Sequence, residues 1–550
     1  MKVKTVVIVN DFNYTQGGAS KVAIDTARIL KEENIKVIFF SAVNKEKEKI
    51  NGVEYVSTNQ NEALKEKNKI KGAINGIYNL RVKKDFKRLL NKLDRDTTII
   101  HVHGWTKALS SSIFDVAFKM KFKVVLTLHD YFTACPNGGY FNYKQNTICH
   151  LNPLSWKCIK CNCDSRNYGF KLYRVLRQFV QNKIIKLNDK LENVITISEF
   201  SEKILKSTLG KNTKITRIYN PIEIGEKIEK IDSNQNQYYL YVGRISKEKG
   251  VDLFCQAITE LKLKGIAVGD GDEKEKLSKQ YPNIEFTGWK NKDEVKEYMK
   301  KAKALIFPSR WYETAGLTVL EAQSLGIPTL VSSNSAGSEF VNEKEWIFKN
   351  LDELKKKIVN LEPKNVKVIS KEYSITSYLN KITALYNNIN FKKIENLKEI
   401  KKQLRKEKNI YYDKDILKRI FHIIVGQPDI RLYKIMKDAK IYRFYKENKK
   451  SNILWKIKCI YFARKVNRNS KRYSVEIFGK FGKNLLLCHA PIIINGYSSI
   501  GDNCILHGMN CIGAKHHMDD APTIGNNVEI GVGAVIIRKY YNSWWNKNRS

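Results

Sequence analysis

No stretch of this 550-residue chain approaches the roughly 20 consecutive apolar residues that a membrane-spanning helix needs. Met1-Lys-Val-Lys runs straight into an apolar strand pattern, so no secretory leader is expected and the chain reads as cytoplasmic. Acidic residues are scarce: 56 against 98 Lys and Arg, a formal net charge of +42. Lysine is spread along the whole chain together with Asn and Ile, so this excess does not by itself name a partner. No nucleic-acid-binding module and no alternating aromatic–basic platform accompanies it, which argues against nucleic acid.

An anionic membrane surface, with the chain peripheral to it, matches the charge better. Two stretches carry that reading, Lys69 to Leu93 and Gly169 to Leu191. In the second, Leu172, Val175, Leu176, Phe179, Ile184 and Leu187 form an apolar stripe among lysines and arginines, with Asp189 the single acid. A core-packed helix with a solvated basic face is the alternative reading of the same pattern.

Disulfides are not expected in a chain read as leaderless. Yet five of the ten cysteines crowd into 29 positions, Cys135, Cys149, Cys158, Cys161 and Cys163, with His150 among them. The Cys158-x-x-Cys161 pair has the spacing of a zinc knuckle, and the other three are candidates to complete four ligands. A structural zinc ion is therefore a candidate here, and a redox thiol is the weaker alternative.

The chain is long enough for about two to four domains. Repeated strand–helix alternation with short turns predicts parallel α/β architecture. Three segments carry its chemistry. Val6-Val-Ile-Val-Asn-Asp-Phe-Asn-Tyr-Thr-Gln-Gly-Gly-Ala19 reads as a buried strand, a glycine loop at Gly17 and Gly18, and a helix start. Tyr239-Leu-Tyr-Val-Gly-Arg-Ile-Ser-Lys-Glu-Lys-Gly250 sends Arg244 and Lys249 out of one turn, a fork-like guanidinium and a point charge. Phe307-Pro-Ser-Arg-Trp-Tyr-Glu-Thr-Ala-Gly-Leu-Thr-Val-Leu-Glu321 places Glu313 in a loop and Glu321 in a helix, eight residues further on. Free amides at Thr314, Ala315, Gly316 and Leu317, with the positive end of that helix, suit a pyrophosphate. Asp270-Gly-Asp272 follows a strand and reads as a glycine turn rather than a metal site.

In these residues the chain resembles the retaining GT-B-type glycosyltransferases of family 4, over roughly residues 3 to 386. The family pattern Gly-Arg, four residues, Lys-Gly, then Glu-x7-Glu is met at Gly243, Arg244, Lys249, Gly250, Glu313 and Glu321. The resemblance implies two Rossmann-like domains, 1–217 on the acceptor side with a cysteine-rich insertion at 135–163, and 218–390 for a nucleotide sugar. It implies a UDP- or GDP-sugar donor and a lipid-linked surface-polysaccharide acceptor. It makes Glu313 and His129 the catalytic pair, with Gly17, Gly18, Arg244, Lys249, Glu321 and the amides of 314–317 holding the donor. His103 is a weaker candidate. One departure stands out: the first glycine of the family's Glu-Gly-Phe-Gly turn is Thr314.

Residues 391–414 read as a charged linker, and 415–466 as helical and basic. From Pro491 the apolar positions recur every six residues: Ile494, Ile500, Leu506, Ile512, Ile524, Ile530 and Ile536. Glycine follows at 501, 513, 525 and 531, the hexapeptide signature of a parallel β-helix. Residues 415–537 thus resemble serine O-acetyltransferases, which implies a left-handed β-helix, acetyl-CoA as donor and a homo-trimer. His489 matches that family's catalytic histidine, and Glu476 stands near its orienting aspartate, two residues short in spacing. Its second histidine is replaced by Ala521-Pro-Thr-Ile, and Arg538 to Ser550 loses the hexapeptide pattern, as a truncated end would. A serine or sugar O-acetyltransferase with an accessory sugar-binding GT-B module is therefore the rival to glycosyl transfer.

Overall fold

The computed structural model describes residues 3–45, 49–222, 233–341, 344–362, 366, 371–389, 401, 404–405, 428–447, 453–488, 490–513 and 521–537. It divides into two compact units, residues 1–392 and 393–550.

The first unit holds two parallel sheets. The strands of the first are β1 (Thr5–Phe12), β2 (Lys36–Val43), β3 (Glu54–Ser57), β4 (Thr98–Val102) and β5 (Lys123–Leu128). A short hairpin follows, β6 (Phe141–Asn142) and β7 (Thr147–Ile148), and then β8 (Asn193–Thr196) and β9 (Lys214–Arg217). Their order is β3-β2-β1-β4-β5-β8-β9, with the hairpin apart. Strand β1 shows why the sheet is buried on both sides. Val7 and Val9 enter one core with Ile38, Ile100 and Leu126, whereas Val6 and Ile8 enter another with Val22, Ala23 and Leu30. A continuous Val/Ile run, rather than alternation with polar residues, is what a doubly covered parallel strand requires.

The second sheet contains β10 (Tyr238–Val242), β11 (Lys264–Val268), β12 (Ile284–Gly288), β13 (Ala302–Phe307), β14 (Thr329–Ser332) and β15 (Ile347–Phe348). The order β12-β11-β10-β13-β14-β15 again places neighbours on both sides of the first strand. In each sheet the strand order reverses beside that strand, and the crevice beyond the strand ends is where such sheets take ligands. The helix Ile375–Asn387 returns to the first sheet. Tyr378 meets Thr26 through their hydroxyls at 2.6 Å, and Tyr386 Oη lies 2.7 Å from His101 Nδ1.

In the second unit, helices Pro428–Glu447 and Ile453–Tyr473 pack together ahead of ten short strands. Successive strands go in turn to three parallel sheets. The columns Ile477–Ile494–Ile512–Ile536 and Leu487–Leu506–Ile530 stack in register, with Ile500 over Ile524. These are the six-residue apolar positions, and they form one buried core with the two helices. The arrangement fits a parallel β-helix. Glu476 is exposed on its strand, pointing away from that core. His489, His516, His517 and residues 538–550 lie outside the described residues, as does most of 391–414.

Candidate active site

A cavity of about 320 Å³ opens between the two sheets of the first unit, at the ends of β1, β5, β8, β10 and β13. Its wall brings together Gly18, His129, Lys249, Glu313, Thr314, Ala315 and Leu317, which lie up to 299 positions apart.

Lys249 reaches it from the turn after β10. That turn closes because Gly250 adopts φ +67, and a Cβ there would stand 2.0 Å from the Pro308 carbonyl oxygen. Only glycine combines that backbone with that approach. The Lys249 ammonium then donates to Glu313 Oε2 at 2.5 Å. The same oxygen accepts from Trp311 Nε1 at 2.9 Å and Ser309 Oγ at 3.2 Å, so the carboxylate is fixed from three directions. Backbone pairing of Glu313 with Ser335, and of Ala336 N with Glu313 O at 3.0 Å, pins its main chain.

The helix Leu317–Ser324 begins at Gly316 with no side-chain cap and no acid in its first turn. Its leading amides and dipole therefore remain for an anion. A Cβ on Gly316 would lie 2.8 Å from Gly337 Cα, which explains the glycine at a position without positive φ. Glu321, one helix face further on, holds Lys21 of the helix Gly18–Glu32 at 3.3 Å. Gly18 lines the cavity, whereas Gly17 is the cap residue of that helix and does not.

Arg244 departs from expectation. Its guanidinium pairs with Glu248 of the same turn, its side chain is 59% exposed, and it is not among the residues lining the cavity. Its partner is the buried i,i+4 carboxylate of Glu248 within the same tight turn.

His129 Nε2 lies 3.0 Å from His103 Nδ1, and the rings of His103 and His101 stand 4.2 Å apart between centroids. Burial pushes His129 and His101 down to about 3, so both are neutral at ordinary pH. His103, the weaker candidate, is buried beside His129 rather than lining the cavity. Thr314 shows what the departure from glycine does. Its hydroxyl donates to the His129 carbonyl at 2.7 Å, and its own carbonyl accepts from Ser198 Oγ at 2.8 Å. Glu339 adds a second strut, its carboxylate accepting from the amides of Glu199 (2.9 Å) and Phe200.

The five cysteines converge, but not as a metal shell. All line one void of about 10 Å³, no larger than a single water site. Lys171, fully buried, sends its ammonium between Cys163 Sγ (3.3 Å) and Cys158 Sγ (3.5 Å). Among the described residues no three His, Cys, Asp or Glu side chains are disposed to hold a metal ion. The expected zinc set finds no support among the described residues, and the Lys171 ammonium occupies the space between two of its sulfurs. What the insertion does hold is the loop before Glu313. Gly139 leaves room for Trp311, and Tyr312 stacks edge-on against Tyr131, His150 and Phe200.

Sequence reasoning missed Asn220, Tyr241, Ser309 and Thr318 in the cavity wall. Asn220 is 5% exposed and its Oδ1 has no hydrogen-bond partner among the described residues, so it is available to a ligand.

Residues 16–226 match the family model "Glycosyltransferase Family 4", and residues 223–373 match "Glycosyl transferases group 1". Residues 16–373 belong to the family-4, group-1 glycosyltransferases. The glycosyltransferase unit is 24% identical over 330 residues to the O-antigen biosynthesis glycosyltransferase WclY of Escherichia coli, covering 56% of this chain and 82% of that protein. It is 25% identical over 281 residues to a 42.6 kDa protein in the cps region of Klebsiella pneumoniae, covering 50% of this chain and 66% of that protein, just under two thirds. Sucrose-phosphate synthase from Thermosynechococcus elongatus shares the GT-B fold, with a TM-score of 0.52 at 16% identity, over 70% of this chain and 98% of that one.

Proposed function

We propose that the first unit transfers a sugar, with retention, from a UDP- or GDP-sugar to a surface-polysaccharide acceptor that is lipid-linked. The observation that carries this is the Lys249–Glu313 pair facing an uncapped helix N-terminus in one cleft. The bond between the anomeric carbon and the diphosphate breaks with its electron pair on the phosphate oxygen. Lys249 and the amides near Gly316 stabilise that charge without needing a bound metal. The acceptor oxygen bonds to the anomeric carbon, and its proton leaves with the diphosphate. Glu313 and His129 orient the sugar, and Glu321 releases Lys21 to take the ribose. The O-antigen and cps contexts of the two relatives support a polysaccharide acceptor, and nucleotide sugars place the reaction on the cytoplasmic side. Screening UDP- and GDP-sugars for nucleotide release by the full chain tests the reading; release above the no-enzyme rate with none of them would refute it.

A second reading concerns residues 415–537. The three stacked parallel sheets support a left-handed hexapeptide β-helix of the O-acetyltransferase type, which would trimerise and take acetyl-CoA. The exposed Glu476 does not favour it as an orienting acid. Acetyl transfer from acetyl-CoA to an oligosaccharide by the full chain, together with its sedimentation as a trimer, tests this reading.

A further inference from the structure

The helix Tyr168–Phe179 and the π-turn Val180–Ile184 that continues it are built inside out. Their buried side chains are polar: Lys171, Arg177, Gln178 and Gln181. Gln178 donates to the carbonyls of Thr133 and Ala134, both at 3.0 Å, and Gln181 donates to that of Phe132 at 3.0 Å. Arg177 donates to the Pro136 and Thr106 carbonyls, both at 3.2 Å. These bonds hold the loop after β5, which no apolar face could do. The consequence is that the apolar side chains turn outward: Leu172, Leu176, Phe179 and Ile184 are 43–64% exposed.

This outward row does not stand alone. The helix Lys69–Ile77 packs against the same helix, with Gly76 so close to Tyr173 that a Cβ would meet its hydroxyl at 1.8 Å. Its own exposed residues include Ile70 (75%) and Ile74 (56%). Trp156, 68% exposed, stands on the short helix Trp156–Lys160 that also touches Tyr168–Phe179. Two stretches nearly 100 positions apart therefore present apolar side chains from adjoining helices. Exposed cations accompany them, Lys69, Lys71, Lys183 and Lys186. Monomeric soluble proteins rarely leave such a cluster to water. Apolar side chains with a lysine border and an interfacial tryptophan have the chemistry of a face that lies on an anionic bilayer.

We infer that the face formed by the helices Lys69–Ile77 and Tyr168–Phe179 and the turn Val180–Ile184 docks on an anionic lipid surface. Ile70, Ile74, Leu176, Phe179 and Ile184 enter the headgroup region, while the lysines meet the lipid charge. Such docking would bring the first sheet's half of the cleft to a lipid-linked acceptor. The inference does not depend on the transfer reading, because binding is measured with no nucleotide present.

The test is co-sedimentation of the full chain with vesicles of phosphatidylglycerol and phosphatidylcholine, against phosphatidylcholine alone. Wild type should bind the anionic vesicles, less tightly as salt rises. The double variant Leu176→Glu/Phe179→Glu should lose at least ~10-fold in affinity, and Lys183→Glu/Lys186→Glu a similar amount. Quenching by brominated lipid should be smaller in Trp156→Phe than in wild type. Because all these side chains are exposed, circular dichroism and the melting temperature should not change. Absence of binding to anionic vesicles overturns the proposal, as does equal binding by the variants. A self-associating chain that the Glu variants render monomeric, with no vesicle binding, would assign the face to a second copy and also overturn it.

Discussion

Thr314 donates its hydroxyl hydrogen to the backbone carbonyl of His129 across the cleft, at 2.7 Å. One residue thereby links the loop that carries Glu313 to the strand end that carries His129, which lines the cavity. A glycine at position 314 could not make this bond. Thr314→Val keeps the volume and removes the donor, leaving a carbonyl unpaired at a cost of about 1 kcal/mol. The two halves should then close less readily, and the affinity for UDP or GDP should fall roughly fivefold by calorimetry. Unchanged affinity would mean that the link is incidental.

Acid should weaken the first unit through its histidines. His101 is held at about 3 by burial, against an ordinary value of 6.5. The unfolded chain therefore takes up a proton below pH 6.5 that the folded chain refuses until about pH 3. Its stabilising contribution is complete above pH 6.5 and is lost as the pH falls toward 3. Each such histidine adds a slope of up to about 1.4 kcal/mol per pH unit. Asp130, raised to about 6 by burial, acts in the opposite sense between about pH 6 and 4, so the variant difference is the cleaner measure. In urea unfolding at pH 7 and pH 5, His101→Asn should lose less stability on acidification than wild type. Parallel losses would contradict the assignment.

The cysteine cluster should behave as buried thiols around a lysine. Burial pushes Cys163 up to about 12, although Lys171 pulls the other way. Iodoacetamide at neutral pH should then label Cys163 slowly in the native chain and rapidly after unfolding. A strong zinc chelator should leave the melting temperature unchanged. A large drop would show that a metal holds the insertion after all.

Much of the cleft was legible because backbone constraints write themselves into sequence. Gly250 and the Lys249 beside it, and the Glu313 loop leading into a helix start at Gly316, each fix a local geometry that only a few residue types satisfy. The six-residue apolar period likewise gave the stacking of Ile494 under Ile512, since a repeat maps directly onto registered rungs. Long-range choices were not legible. Nothing local says that Lys171 will sit among sulfurs. The helix Tyr168–Phe179 left two readings open for a physical reason: amphipathic periodicity reveals two faces but not which one is buried. Here the loop carbonyls of Phe132 to Pro136 decided for the polar face.

The measurement that bears most directly on the central claim is donor turnover by Lys249→Ala and Glu313→Ala, with the donor that wild type accepts. The Lys249 ammonium lies 2.5 Å from Glu313 in the cavity wall, and in the proposed transfer it stabilises the charge of the leaving diphosphate. Its removal should lower kcat by about 10²-fold or more, the scale of losing one preorganised electrostatic contact. Glu313→Ala should fall at least as far, while both variants keep the wild-type melting temperature to within a few degrees. Nucleotide release at the wild-type rate by either folded variant would contradict the account.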